Sequence, residues 1–140
     1  MGGYKHIETC IGEYIAAHYD TAVEIGIGKN TRAARIIKGA GKTIRCTDIH
    51  DMPSISPLDF AVDDVFDPDI DIFRGTDVIY AIRPAVEMVP PMIAIAQRVN
   101  ADLLVYFLGF ECYKDWAGTI DCGVVLHQYY RRQNPSKSVA

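Results

Sequence analysis

Positive charge is in short supply in this 140-residue chain: fourteen Lys and Arg stand against eighteen Asp and Glu, a formal net charge of −4. That balance argues against a surface built to coat nucleic acid phosphates or anionic lipid. No Cys-x-x-Cys pair occurs among the cysteines at 10, 46, 112 and 122, and no Cys/His grouping has the spacing of a structural zinc site. The thiols therefore read as reduced and mostly buried, and no metal is expected. Apolar stretches break off well before the ~18 residues that a membrane span requires. The opening Met1-Gly-Gly-Tyr-Lys-His-Ile-Glu8 has no apolar signal region, and His6 stands where a myristoylation signal needs Ser or Thr. These absences predict a cytoplasmic protein without membrane contact. Repeats, low-complexity blocks and linkers are missing too, so the chain reads as one domain over 1–140 with 133–140 a disordered tail. What is present is 49% hydrophobic and 23% charged residues, enough for a sizeable core.

Periodicity supplies the elements. Ile7, Ile11, Tyr14, Ile15 and His18 recur at spacings of three and four with Glu8 and Glu13 between them, which predicts an amphipathic helix over 4–19. Residues 21–28 read as an apolar strand running into glycines, 31–38 as a helix ended by Gly39 and Gly41, and 43–47 as a second strand capped by Asp48. Further strands are expected at 58–62, 77–82, 103–108 and 123–127, with a helix over 86–99 whose start is blurred by Pro90 and Pro91. Strand and helix alternate, and the central strands are apolar on both faces. That pattern predicts a three-layer α/β/α Rossmann-like domain with a mainly parallel sheet of five or six strands in the order 3-2-1-4-5.

Such sheets bind ligands beyond the carboxyl ends of their strands. Gly26 and Gly28 put two positions without side chains into the turn after the first strand, where backbone can approach a ligand and N–H groups can face it. Asp48 follows Gly28 by twenty residues, at the end of the next strand, where a carboxylate can accept both hydroxyls of a ribose. Asp64, ending the third strand, could accept from an adenine amino group.

On these residues the chain resembles the class I methyltransferases, which bind S-adenosylmethionine and carry an acid-x-Gly-x-Gly-x-Gly motif in this turn. Glu24, Gly26 and Gly28 match its first three fixed positions, and Asn30 replaces the third glycine. Asp48 resembles the ribose-binding acid, and Asp64-Val65 the Asp-Ala pair that brackets adenine. The resemblance implies cofactor contacts from Glu24, Gly26, Ile27, Gly28, Asn30, Asp48, Ile49, Asp64, Val65 and Tyr80. The runs Asp63-Asp-Val-Phe-Asp-Pro68 and Ile79-Tyr-Ala-Ile-Arg-Pro84 resemble more specifically a family of small uncharacterised archaeal proteins with a methyltransferase-like fold, over residues 4–112. That family brings no known activity with it.

A nicotinamide site would want a small residue where Thr31 stands, and its pyrophosphate would be repelled by Glu24, whereas the ammonium of S-adenosylmethionine would not. The cofactor expected is therefore S-adenosylmethionine, not nicotinamide. Enzymes of this fold that methylate amines often place Asn-Pro-Pro-aromatic after the fourth strand; this chain has Ala81-Ile-Arg-Pro84. Arg83 offers a planar fork suited to an anionic acceptor, and Glu87, four residues on, would orient Arg83 or take a proton. Those two are the candidate catalytic residues. Complete methyltransferase domains usually have seven strands, so a substrate platform is expected from the first helix, from 113–121 with Trp116 nearby, or from a second subunit in a homodimer. His50-Asp51, Asp67, Asp69 and Asp71 read as a solvated acidic loop, and Gln128-Tyr-Tyr-Arg-Arg-Gln133 as the one stretch with nucleic-acid character. Two alternatives stay open beside a small methyltransferase of unknown substrate: a non-catalytic nucleotide-binding or regulatory module with a degenerate fold, and an NAD-binding protein.

Overall fold

Helix α1 (Gly3–His18) leads into strand β1 (Thr21–Ile25), helix α2 (Arg32–Gly39) and strand β2 (Thr43–Asp48). Strands β3 (Asp59–Val62) and β4 (Val78–Ile82), helix α3 (Val89–Val99) and strands β5 (Asp102–Tyr106), β6 (Gly118–Asp121) and β7 (Val125–Tyr130) follow. This is a computed structural model, and it describes residues 3–52, 55, 57–108, 112–114 and 117–133. Trp116, Glu111 and the tail from 134 onward lie outside the described residues.

One sheet of seven strands runs β3-β2-β1-β4-β5-β7-β6. The first five are mutually parallel in the expected order; β7 lies antiparallel to both β5 and β6. The five or six strands expected from sequence fall short because β6 has four residues, mostly exposed at the sheet's edge, and so lacks a buried apolar run. Strand β7 starts at Val125, two residues later than expected, because Cys122 N–H to Val124 O and Gly123 N–H to Asp121 Oδ1 close a turn ahead of it.

Alternate residues of each central strand feed opposite layers. Ala22, Ile44, Cys46, Tyr80 and Leu104 pack with Ile11 and Ile15 of α1 and Ala33, Ala34 and Ile37 of α2. Val23, Ile25, Ile79, Ala81, Leu103 and Val105 pack with Val89, Met92, Ile95 and Ala96 of α3. Both faces of β1, β4 and β5 are therefore covered, which is why their sequences are mostly apolar without alternation. Pro90 and Pro91 occupy the first turn of α3, where the missing N–H groups have no helical partner to lose. A separate 3-10 turn over Val86–Met88 precedes that helix, replacing the start expected at 86. Two positions of α1 differ from expectation. His18 is exposed and stacks on Tyr14 at 4.1 Å, while Glu8 is 1% exposed. No helix among the described residues is long and apolar enough to cross a membrane.

Candidate functional site

The turn after β1 is built by two left-handed glycines, Gly26 at φ 73° and Gly28 at φ 54°. Three of its N–H groups are bonded within the fold. Gly26 and Ile27 both donate to Thr47 O, at 2.9 and 3.0 Å, and Gly28 donates to Asp48 Oδ2 at 2.9 Å. These bonds lock the turn to the end of β2. Ile27 is 3% exposed with its side chain in the core, so it has no surface to offer a cofactor. What the glycines do provide is bare backbone: a Cβ at either would meet nothing within 4 Å. Asn30, in place of the third glycine, accepts from Arg32 N–H at 3.2 Å and satisfies a donor in the first turn of α2.

Beside this turn, at the carboxyl ends of β1 to β3, lies a cleft of about 300 Å³ lined by Gly26, Asp48, Ile49, Asp64, Val65 and Phe66, among others. Asp48 accepts one backbone N–H on each oxygen, from Gly28 and from His50 at 3.0 Å, which orients the carboxylate. Each oxygen retains a second lone pair for a hydroxyl. Ile49 is 59% exposed and Phe66 61%, two large apolar side chains held out of the core at the cleft. Asp64 accepts from Phe66 N–H at 2.9 Å, which fixes the loop that carries the aromatic ring. Phe66, Met88, Asp63, Thr47 and Ile25 line the cleft without having been singled out as cofactor contacts. A lone aromatic amid the acids of 63–69 was the signal available for Phe66. Met88 gave none, because its turn was taken for helix.

Below the turn the side chains form a buried polar set. Glu24 is 2% exposed, and the Tyr80 hydroxyl, itself fully buried, donates to its Oε1 at 2.7 Å. Burial pushes the Glu24 carboxyl up to about 8, with the Glu8 carboxylate adding and the Tyr80 bond opposing. Tyr80 thus lies in the core beneath the turn, with no exposed surface for the cofactor contact that the resemblance implied. Glu8 reaches in from α1 and takes the Arg83 fork with both oxygens, at 3.1 Å to Nη1 and 3.3 Å to Nη2. Arg83 has a left-handed backbone at φ 57°, donates its N–H to Tyr106 O at 2.7 Å, and lays its guanidinium over the Tyr106 ring at 5.7 Å. The carboxylate gripping Arg83 is therefore Glu8, 75 residues away, and not Glu87, which is exposed on the Val86–Met88 turn. Helical spacing alone had put Glu8 on the solvent side.

Elsewhere the acidic loop is internally bonded. Asp63 accepts from Asp69 N–H at 2.8 Å and Asp69 from Asp71 N–H at 3.1 Å. No group of three His, Cys, Asp or Glu placed to hold a metal occurs among the described residues. Arg132 pairs with Asp77 at 2.8 Å and gives its N–H to Asp102 at 2.7 Å, so it ties the strand end to the sheet.

The sheet order and the glycine turn define a methyltransferase-like fold, and solved structures agree. An O-methyltransferase family protein from Burkholderia thailandensis superposes with TM-score 0.61 at 13% identity, over 93% of this chain and 57% of its own. A putative methylase from Haemophilus influenzae gives 0.54 at 9% identity, over 91% of this chain and 89% of that one. The amino-terminal domain of EvdMO1, solved with SAH bound, gives 0.51 at 15% identity, over 81% and 53%. The chain spans a little over half the length of the Burkholderia protein.

The chain belongs to the uncharacterised protein family UPF0146, which matches residues 8–115. The UPF0146 protein of Archaeoglobus fulgidus is 33% identical over 96 residues, covering 68% of this chain and 74% of that one. That of Pyrococcus abyssi is 34% identical over 96 residues, covering 64% and 73%.

Proposed function

We propose that this chain binds S-adenosylmethionine, or its demethylated product, with the adenosine in the cleft at the ends of β1 to β3. The observation that carries this reading is the pairing of an oriented Asp48 carboxylate with two exposed apolar side chains, Ile49 and Phe66, beside an open glycine turn. Asp48 would accept the ribose hydroxyls, Asp64 the adenine amino group, and Ile49, Val65 and Phe66 would cover the base. Gly26 and Gly28 would let the methionine portion lie against backbone. The residues present suit the group: the cleft offers carboxylates able to accept from hydroxyls and an amino group, and apolar surface able to cover a base. Calorimetric titration with S-adenosylhomocysteine tests it. Wild type is expected to bind, and Asp48→Ala to lose at least about tenfold in affinity, since hydrogen bonds to a charged group contribute roughly 1.5–3 kcal/mol each. Absence of heat at millimolar ligand would end the proposal.

On this reading the chain is a small methyltransferase. A sulfonium donor supplies a methyl group already attached to a charged leaving group, so positioning and exclusion of water are what the protein adds. Arg83 and Glu87 follow β4 and would line the acceptor side, with Arg83 anchoring an anionic acceptor and Glu87 taking its proton. A second reading, a binding module without chemistry, is favoured by one observation: Glu8 already engages the Arg83 fork. Transfer of radiolabelled methyl from S-adenosylmethionine into any fraction of an archaeal extract decides for the enzyme; binding without transfer decides for the module.

A further inference from the structure

The net charge of −4 conceals two opposed blocks. Residues 25–47 carry six Lys and Arg and no acid, whereas residues 48–73 carry eight Asp and no Lys or Arg. Helix α2 lies in the first block. It buries Ala33, Ala34 and Ile37 in the core and leaves Arg32, Arg35 and Lys38 exposed on its other side, with Lys29 exposed in the turn that leads into it. Among the twelve Lys and Arg whose side chains are described, Lys42, Arg45, Arg74, Arg83 and Arg132 sit in ion pairs. None of the four on this ridge does. The other cations without a carboxylate, Arg98, Lys114 and Arg131, stand each on a different segment. Arg35 is held in place on the ridge, because its Nε donates to Thr31 Oγ1 at 2.8 Å.

The neighbours of these cations select the partner. Asn30, Thr31, Gly39, Ala40 and Gly41 are small or polar, and the large apolar side chains that the molecule exposes, Ile49 and Phe66 among them, lie outside this block. Protein interfaces centre on aromatic or aliphatic anchors, and single strands are held by bases stacked on aromatic rings. The ridge has neither. A phosphodiester backbone instead takes cations, hydroxyl and amide groups. We propose that the outer face of α2 binds the backbone of double-stranded nucleic acid without reading its sequence. From Arg32 to Lys38 the helix rises about 9 Å, the axial length over which a duplex presents about five charges, so the cations meet several phosphates at once. The acidic block repels the same duplex and confines contact to this face. None of the four cations lines the adenosyl cleft, so the inference stands or falls independently of that reading.

Fluorescence anisotropy of the full chain with labelled RNA and DNA duplexes of about 20 base pairs and arbitrary sequence, over roughly 50–200 mM salt, tests the inference. Binding is expected with log K falling against log salt at a slope of about −3 to −4, as for three or four phosphate contacts. Equal binding of the two duplexes, or preference for one, supports the inference and identifies the source of the backbone. Arg32→Gln with Lys38→Gln should reduce the slope by about two and weaken low-salt binding about tenfold or more. Lys29→Gln with Lys38→Gln should do the same. Both variants replace exposed side chains, so their thermal midpoints should match wild type. Arg98→Gln, Lys114→Gln and Arg131→Gln combined should leave affinity and slope unchanged. Three results would overturn the inference: no binding of either duplex at the lowest salt, an equal loss in that triple variant, or displacement of the duplex by polyglutamate at equal charge. The last would assign the ridge to an acidic protein.

Discussion

A glutamate at 1% exposure in a helix that packs on a sheet needs a partner, and Glu8 finds it in Arg83. Truncating one member of such a pair strands the other charge. Arg83→Ala is therefore expected to cost about 3–5 kcal/mol of stability by urea denaturation. The double change Glu8→Leu with Arg83→Met should recover most of that loss, because apolar replacement of both partners removes the stranded charge. If Arg83→Ala instead leaves the urea midpoint unchanged, Glu8 has access to water and the ion pair does not hold α1 to the sheet. At this scale the sequence was legible wherever a residue's role is local. The placement of Asp48 at the end of β2 and of Asp64 just past β3, both at the cleft, could be read from position. The Glu8–Arg83 pair could not, because helical periodicity assigns a Glu between apolar positions to solvent and says nothing of a cation 75 residues later. Tyr80 lies mid-strand in β4, and strand alternation turns it under the turn toward Glu24.

Helices α1 and α2 meet at Gly12, where a Cβ would come within 3.0 Å of Ala33 O and 3.1 Å of the Ile36 Cβ. The absence of a side chain there lets α1 lie against α2, in the position from which Glu8 pairs with Arg83. Gly12→Leu would force the helices apart, at a cost of about 1–3 kcal/mol in denaturant unfolding. Unchanged stability would mean that α1 can slide without loss and does not position Glu8. Strands β1, β4 and β5 were legible because both of their faces are buried, which leaves a mostly apolar run, whereas β2 and the edge strand β3 were legible from their place between turn residues. Strands β6 and β7 were only half so, since an edge strand of four residues with most positions exposed looks like loop. Their presence completes the seven strands that length alone had argued against.

For the molecule as a whole, a carboxyl held protonated in the fold ties stability to pH. The Glu24 carboxyl moves from an ordinary 4.5 to about 8 on folding, so between those values the folded state binds more protons than the unfolded one. Its contribution is complete below about pH 4.5 and is lost as pH rises toward 8. Asp77, lowered by the Asp20 and Thr21 N–H groups and Arg132 against the opposing effect of burial, acts in the opposite sense and loses its contribution as pH falls through the acid range. The thermal midpoint of wild type should therefore decline from pH 5 to 8, and Glu24→Gln should flatten that decline. A wild-type profile as flat as the variant's would show that Glu24 is ionised in the folded protein. Whether an adenosyl ligand occupies the cleft is the claim on which the rest depends, and amide chemical shifts on titration with S-adenosylhomocysteine test it most directly. Shifts are predicted at Gly26, Gly28, Asp48, Ile49 and Asp64 to Phe66, saturating together, with the opposite end of the sheet around Asp77 and Asp102 unchanged. No shifts at millimolar ligand, or shifts confined to that opposite end, would contradict the assignment of this site.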